Sequence, residues 1–548
     1  MPKLQSPEIS VVIASFERRQ MLERCLRALA EQDQDPGSYE VLVALDGSKD
    51  DSGEMAEALE LPFALRVLRL PRGGKAAAAN TAMREARGAV LLFLDDDVIA
   101  SPGLLSAHLS AHRRQPRAVG IGALTQAIPT GRDWYTHAYA EDWNERYGKM
   151  AAAAADWTDC YGGNLSVPRD TALEVGGFAT ELIAVEDIEF GWRLSAAGCE
   201  PVFLPDALAL HADEKPRKAL IDDVWRFGQF CADFCEQHPR ARGKLLGWFY
   251  DTTPRELLIR RLLLALHAKP PWLAALGMIV PGQHRRRIWF GFVSRFTFWS
   301  GAKNRMRRRR WRETTGGVPV LMYHAFTDNG EHDRYIVSRR RFRAQMLALR
   351  LLRYKPIRFG ELAEALRGGE ALPWRAVVIT VDDGYADNLD VAMPTLRRLG
   401  VPATFFLVSD KLGTENDWDD DGGVAHRPLM GRTEVERMRA AGAELGAHTR
   451  THVDLPTLGS ARREEEIGGS RQELEVTLGQ PVLTFAYPYG RFDEATVESV
   501  DRAEFLGACT VEGSPAHLGD DPLRIPRIEI KGDDSLPRFL RKLWFGGN

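Results

Sequence analysis

The sequence predicts an α/β protein of two domains joined by a helical, basic stretch. Short apolar runs alternate with helical segments from Ile9 to about His211, a second such series begins at Val318, and the region between them loses the β rhythm. At 548 residues, length alone allows roughly three to four domains, or two large ones with a connector. Apolar residues make up 44% and charged residues 27%, the balance of a chain that buries real cores rather than a disordered chain or a bundle of membrane spans. A net charge of −4 gives no general affinity for nucleic acid. The six cysteines show neither paired metal spacing nor a disulfide framework, which favours a reducing compartment.

The first domain is expected over 1–240. Its strand candidates are ISVVIA, YEVLVAL, ALRVLRL, AVLLFLDDD and PVFLP, separated by helices such as RRQMLERCLRALAEQ. The third domain, 316–548, carries VPVLMYH, AVVITVDDG, ATFFLVS and LTFAYPYG, with helices such as SRRRFRAQMLALRLL between them. The connector, 241–315, holds LLIRRLLLALHAKPPWLAALGMIV, too interrupted by charge and proline to span a bilayer. Within 284–312 there are eleven Lys/Arg and no Asp or Glu, mixed with aromatics. Such a composition suits a segment lying on the anionic inner face of a membrane, and equally a helix docked on flanking domains with a solvated basic face.

In the first domain, Asp95, Asp96 and Asp97 end the run AVLLFL at the carboxyl edge of a sheet, where ligands of α/β proteins bind. Crowded carboxylates repel unless a hard divalent cation neutralises them, and a diphosphate supplies its remaining oxygens. Asp46 ends LVALD in the same way. Lys75 and Asn80 lie in RGGKAAAAN, a Gly-rich turn that lets backbone and a cation approach phosphate.

With YGGNLSVPR, VGGF, Glu186-Asp187 and His211 following in order, residues 8–215 resemble the family 2 inverting glycosyltransferases of the GT-A fold. The resemblance implies a nucleotide-diphosphate sugar donor and a Mn2+ or Mg2+ ion. Asp46 then hydrogen-bonds the base, framed by Ala14 through Glu17, and Asp95 and Asp97 form the DxD element with Asp96 between them in the nucleotide-sugar site. Asp97 becomes the direct metal ligand and His211 a further contact to metal or diphosphate. Lys75 and Asn80 belong to the donor-sugar or diphosphate site, and Asp187 is the catalytic base, with Glu186 sharing or orienting that role. Leu45 stands where the family often has a further acid, which puts secondary base contacts in doubt. No Q/R-x-x-R-W element follows Asp187, so single-sugar transfer is expected rather than polymer extrusion. The similarity of GGKAAAAN to the donor loop of processive synthases tilts the donor toward an N-acetylhexosamine.

In the third domain, Asp382 and Asp383 leave AVVIT at the mouth of a barrel-like sheet, where one can hold a metal and the other accept a proton from water. His448 and His452 in HTRTH are four apart and could face one ion if that stretch is a helical turn. VPVLMYH, TVDDGYADN, HTRTH and FAYPYG, in that order, resemble the polysaccharide deacetylases of carbohydrate esterase family 4, with a distorted (β/α) barrel over Val318–Ile530. By that resemblance Asp383, His448 and His452 bind Zn2+ or another divalent metal, and Asp382 is the general base. An N–H near Tyr489 and the metal would then stabilise the oxyanion. The pattern departs at Ala486 and Tyr487, where many members carry an Arg, and at IPRIEI, where many have a His that protonates the leaving amine. His324 and His517 are both candidates for that acid, and Arg527 is a candidate to orient Asp382.

The expected protein is a bifunctional enzyme that transfers a sugar to a glycan or lipid-linked glycan and hydrolyses a glycan N-acetyl group. The alternative is a transferase whose barrel is a non-catalytic glycan-binding or membrane-docking platform. The N-terminus MPKLQSPEISVVIASF shows no separate apolar leader, and nucleotide sugars are cytosolic, so a cytoplasmic location, peripheral on the membrane at most, is expected.

Overall fold

The computed structural model describes all residues except 1–5, 130, 132, 152–153, 183–184, 213–214, 239–240, 243, 247–253, 309–310, 312–316, 331–332, 369–371, 419–425, 518–519 and 548. The first residues read for a leader, the domain boundaries at 240 and 315–316, and Arg309, Arg310 and Arg312 of the basic stretch lie outside the described residues. Two compact units form. One is Met1–Ala232 with Ile259–Arg305, and the other is Asp233–Leu258 with Met306–Asn548. The stretch expected as a connector is thereby divided, and most of its helical part belongs to the first unit.

In the first unit, β1 (Ile9–Ser15), β2 (Tyr39–Asp46), β3 (Ala64–Leu70), β4 (Val90–Asp95), β5 (Val98–Ala100), β6 (Ala118–Gln126), β7 (Asn164–Pro168) and β8 (Glu200–His211) make one sheet in the order β3-β2-β1-β4-β7-β6-β8-β5. β1 to β4 pair in parallel, and β7 runs antiparallel to both β4 and β6. β1, β2 and β4 are buried almost throughout, which is why they read as continuous apolar runs rather than alternating ones. The helix Arg19–Leu29 covers them with Leu22, Cys25, Leu26 and Leu29, one helical face. Parallel register sets Ala14 beside Asp95, so the ends of β1 and β4 open at one edge. β8 shifts register against β6 between Gly122 and Leu124 and then pairs with β5, which sets His211 opposite Val98, next to Asp97.

The aromatics of the basic stretch face inward among the described residues, while the membrane contact expected for 284–312 is not shown. Helix Gln283–Arg305 buries Phe290, Phe292, Phe296, Phe298 and Trp299, and Phe290 packs on Tyr135 at 4.9 Å between ring centroids. A Cβ at Gly301 would strike the carbonyl of Trp225, and one at Gly228 that of Phe298, so the two glycines let this helix lie directly on the helix that starts at Arg217. Composition showed an aromatic, basic segment but could not show which side of it is covered. Among the described residues no helix is long and apolar enough to cross a membrane.

In the second unit the strands are β9 (Val320–Tyr323), β10 (Ala325–Thr327), β11 (Ile336–Ser338), β12 (Lys355–Ile357), β13 (Ala376–Val381), β14 (Thr404–Leu407), β15 (Glu444–Ala447), β16 (Thr484–Ala486), β17 (Gly507–Cys509) and β18 (Ile528–Glu529). A wholly parallel sheet runs β17-β16-β15-β14-β13-β9-β18, with β12 on β13, while β10 and β11 pair separately. A parallel bridge between Cys509 and Ile525, just ahead of β18, links the two ends of the sheet. Asp382 and Asp383 leave β13 and His448 leaves β15, with β14 between them, so all three stand at one carboxyl face, the expected barrel mouth.

Candidate functional sites

In the first unit, β4 delivers Asp95 to the sheet edge, where its Oδ1 lies 2.6 Å from the Lys75 ammonium. Lys75 is the first residue of helix Lys75–Glu85, so its charge and the helix N-terminus point to the same place. Burial alone would lower its pKa, but Asp95, Glu186 and Asp187 together hold it above the ordinary lysine value. Asp187, in the first turn of helix Glu186–Ala196, accepts N–H bonds from Gly162 (2.9 Å) and Ile188 (2.8 Å). Burial raises the pKa of Asp187, with Lys75 and the two N–H donors opposing it, and burial together with Asp187 raises that of Glu186. Val185, which starts this helix, sits at φ 70°, a strained left-handed conformation for a β-branched residue. Gly162 and Gly163 explain the Gly-Gly of the YGGN motif: a Cβ on the first would meet Asp187 and one on the second Asp95 Oδ2 at 3.2 Å.

The three consecutive aspartates separate by direction. Asp97 Oδ1 lies 3.3 Å from His211 Nε2, and ligand atoms of Asp95, Asp97 and His211 lie within 4.8 Å of one another. Asp97 Oδ1 and His211 Nδ1 are buried without hydrogen-bond partners, so the oxygen-rich set fits a hard divalent ion. Asp96 turns the other way, accepting from Ser15 Oγ (2.6 Å) and Arg18 (3.1 Å), and burial lifts its pKa to about 6. Arg18 also reaches Asp97 at 2.8 Å. A cavity of about 320 Å3 collects Lys75, Asp95, Asp187 and His211, walled by Tyr139, Trp143 and Tyr161.

Two of the expected donor-site residues bond the surrounding backbone. Both polar atoms of the buried Asn80 carboxamide are spent on the Phe178 backbone, donating to its carbonyl (2.7 Å) and accepting from its N–H (2.8 Å). The carboxylate of Asp46 receives N–H bonds from Gly73 (2.6 Å) and Gly74 (3.0 Å) and lies 3.3 Å from Arg72. It therefore clamps the Gly-rich turn ahead of Lys75. Arg72 in turn lies over the Phe16 ring, 3.3 Å from its centroid. Ala14 ends its strand half-buried beside Asp95, and Glu17 is exposed at φ 52° with its N–H on Ser48 Oγ at 3.1 Å.

In the second unit, Asp383 Oδ1 lies 3.5 Å from His448 Nε2 and 3.4 Å from His452 Nε2, all three residues being buried. HTRTH is a loop rather than the helical turn expected: Thr449 and His452 take left-handed φ of 64° and 59°, and these reversals turn both rings to Asp383. His448 Nδ1 bonds the Ala486 carbonyl at 2.7 Å, which fixes its tautomer and leaves Nε2 as the ligand atom. Burial lowers the pKa of His448 to about 4 and that of His452 well below the usual value, so both rings are neutral donors. With His452 Nδ1 lacking a partner, this His-His-Asp set fits zinc or a similar ion.

Asp382 points away from the triangle and into the fork of Arg527, at 2.6 and 2.7 Å. Burial would raise its pKa, but Arg527, then His448, bring it down to about 2. Arg527 is fully buried and is held further by the Thr510 carbonyl and Thr380 Oγ1. His324, at the end of β9, enters the same cavity of about 300 Å3 with its ring against Tyr335 at 5.0 Å, and burial lowers its pKa. His517 does not line this cavity. Its backbone N–H binds Asp520 at 2.7 Å and its Nε2 faces Gly317. Tyr489, at φ 56°, stands edge-on to His452 at 4.7 Å, and Trp418 stacks on the other side of that ring at 4.5 Å.

Sequence reasoning missed Arg18, Arg72, Tyr335 and Trp418. Tyr139 and Trp143 were readable as an i,i+4 aromatic pair in WYTHAYAEDW, whereas Trp418 stands in an acidic loop with no pattern around it.

Comparison with known proteins gives a family match for each unit. The family model "Glycosyl transferase family 2" matches residues 10–170, and "Polysaccharide deacetylase" matches residues 370–507. The chain is 25% identical to YxkH of Bacillus subtilis, a protein named for a polysaccharide deacetylase, over 40% of this chain and 73% of that one. It is 27% identical to validoxylamine A glucosyltransferase of Streptomyces hygroscopicus subsp. limoneus, over 45% of this chain and 60% of that one. To the poly-beta-1,6-N-acetyl-D-glucosamine N-deacetylase of Escherichia coli it is 32% identical, over 41% of this chain and 38% of that one. The chain therefore joins a family 2 glycosyltransferase domain to a polysaccharide deacetylase domain.

Proposed function

We propose that the two units catalyse successive steps on one saccharide: inverting transfer of a sugar, with an N-acetylhexosamine as the favoured donor group, and hydrolysis of its N-acetyl group. The observation that carries this reading is that each unit gathers, from separated stretches of chain, a candidate metal-ligand set and a carboxylate outside that set, Asp187 in one and the buried Asp382 in the other. A non-catalytic barrel has no need of the Asp382–Arg527 pair beside an intact ligand triangle.

In the transferase unit Asp187 takes the proton of the acceptor hydroxyl, a role its raised pKa suits. Lys75 and the N-terminus of its helix receive the diphosphate. Asp95, Asp97 and His211 would hold a Mn2+ or Mg2+ ion, which stabilises leaving-group charge when bound. The aromatic wall of Tyr139, Trp143 and Tyr161 offers ring faces to a glycan or lipid-linked glycan acceptor.

In the deacetylase unit Arg527 keeps Asp382 ionised and aimed, so that it can take a proton from water. A divalent ion held by Asp383, His448 and His452 would acidify that water and polarise the acetamide carbonyl. His324, the cavity histidine outside the ligand set, is the group assigned to protonate the leaving amine; burial keeps its ring neutral at rest, so it must first gain the proton released by the attacking water. A cytosolic site for both reactions follows from the nucleotide-sugar donor.

The test is mass spectrometry of full-length protein with Mn2+ or Mg2+, a panel of nucleotide sugars and a lipid extract as acceptor source. Gain of one sugar followed by loss of one acetyl group is expected. Asp382→Asn should let acetylated product accumulate with transfer intact. Transfer without acetyl loss in the wild type would refute the coupling.

A further inference from the structure

Eight of the twenty exposed large apolar side chains on the described chain fall within the thirty residues Ile259–Ile288: Ile259, Leu262, Leu266, Trp272, Leu276, Met278, Ile279 and Ile288. Leu266, Trp272 and Ile279 are 77–78% exposed. Scattered apolar residues on a surface need no explanation, but such a concentration marks an interaction face.

The face has a defined inner side. Arg260 lies over the Trp299 ring at 5.3 Å, Lys303 Nζ bonds the Leu264 carbonyl at 2.7 Å, and Trp289 Nε1 bonds the Leu273 carbonyl at 2.9 Å. Gly277 abuts the Trp134 ring. The segments Pro254–Ala265, Pro270–Leu276 and Gly277–Ile279 are thus pinned by one side onto helices Gln283–Arg305 and Trp134–Met150. In helix Pro254–Ala265, Ile259 and Leu262 are exposed while Arg260 and Leu264 are buried, as one-sided packing requires.

Charge selects the occupant. Between Glu256 and Glu313 the chain has fourteen Lys/Arg and no acid, and Arg261, Lys269 and Arg285 are exposed within the apolar stretch. The exposed charges within the apolar stretch itself, Arg261, Lys269 and Arg285, are all positive and disfavour a second copy, while Glu145 of the supporting helix pairs with Arg287 at its edge; a layer of anionic headgroups over acyl chains complements both those cations and the apolar side chains. We infer that Ile259–Ile288 is a docking surface for an anionic lipid bilayer. The lipid-facing part is therefore the stretch ahead of the aromatic helix together with that helix's first turns, and Phe290–Trp299 support it from within. Helix Trp134–Met150 lies between this surface and the transferase cavity, with Trp134 and Tyr135 toward the docking layer and Tyr139 and Trp143 at the cavity. A docked bilayer lies one helix away from the acceptor site.

Flotation of the full chain with vesicles of phosphatidylcholine, with and without phosphatidylglycerol, tests this without requiring either activity. The wild type should float with the anionic vesicles only, and added salt should reduce it. Leu266→Gln, Trp272→Gln and Ile279→Gln should each lower partitioning by about tenfold, and Arg261→Gln with Lys269→Gln and Arg285→Gln should also lower it. Unchanged melting temperature and unchanged transfer to a soluble acceptor show that these surface variants fold. Wild type that stays below the vesicles, or a triple apolar variant that floats equally well, overturns the inference. So does a concentration-dependent dimer that the apolar variants abolish while vesicles capture neither form.

Discussion

Arg527→Met isolates the buried pair on which the deacetylase reading rests. Asp382 is 3% exposed and Arg527 fully buried, and the two are joined by a two-bond fork. Removing the guanidinium leaves a carboxylate without its counter-charge, a loss of about 3–5 kcal/mol for a buried pair. The Thr510 carbonyl also loses its donor, which adds about 1 kcal/mol. Asp382 can escape the electrostatic part by taking up a proton, and it then ceases to be a base, at a cost of about 10²–10⁴ in rate. The double variant Arg527→Met with Asp382→Asn carries no stranded charge, so it should be more stable than Arg527→Met alone although it lacks two native groups. Arg527→Lys keeps the charge but not the fork and should fall between wild type and Arg527→Met in acetate release. Calorimetry of the second unit and acetate release from an N-acetylated oligosaccharide read the two effects. A double variant no more stable than Arg527→Met, or acetate release by Arg527→Met at the wild-type rate, would refute the reasoning.

Asp187→Asn should lower sugar transfer by about 10²–10⁴ while acetate release is unchanged, read by paired product assays on one preparation; equal losses in both would point to a folding defect. Asn80→Ala should lower the melting temperature of the first unit, by about 1–3 kcal/mol in stability for the stranded Phe178 backbone groups, and a variant of unchanged stability with weakened donor binding would restore Asn80 to the donor site. His108 and His112 share Ser166 Oγ at 2.8 and 2.9 Å, and burial holds both at a pKa of about 4 against an ordinary 6.5. The unfolded chain takes up these protons as pH falls through 6.5 and the folded chain only near 4. The contribution of this pair to first-unit stability is therefore full above pH 6.5 and is lost toward pH 4, by up to about 3 kcal/mol per histidine, while Asp96, lifted to about 6, takes up its proton in the folded chain over the same range and acts in the opposite sense. Urea midpoints of the wild type against a His108→Gln, His112→Gln variant across that range check this, and a difference between the two that does not change with pH counts against it.

What was legible in the sequence and what was not divides along a physical line. Carboxylates at the ends of buried parallel strands announce themselves, because the apolar run and the acid that breaks it are contiguous: LLFLDDD and VVITVDD mark both sheet edges and the carboxylates of both candidate ligand groups. Direction was not contiguous information. Neighbouring acids repel, so the fold gives them counter-groups from distant stretches: Asp95 meets Lys75, Asp97 meets His211 and Arg18, Asp96 meets Ser15 and shares Arg18, and Asp382 meets Arg527 while Asp383 faces two histidines. Those partners lie as far as 145 residues away in the chain, and no local pattern encodes which carboxylate each will meet. The same limit applies to Asn80, which sits in helix Lys75–Glu85 and meets Phe178, 98 residues later, with both of its polar atoms. It also explains the basic stretch. Composition fixed its character over 284–312, but the facing of each side chain depended on glycines at 228 and 301 that bring two helices into contact. With Phe290–Trp299 committed to that contact, the apolar surface left outside is the one ahead of it in sequence.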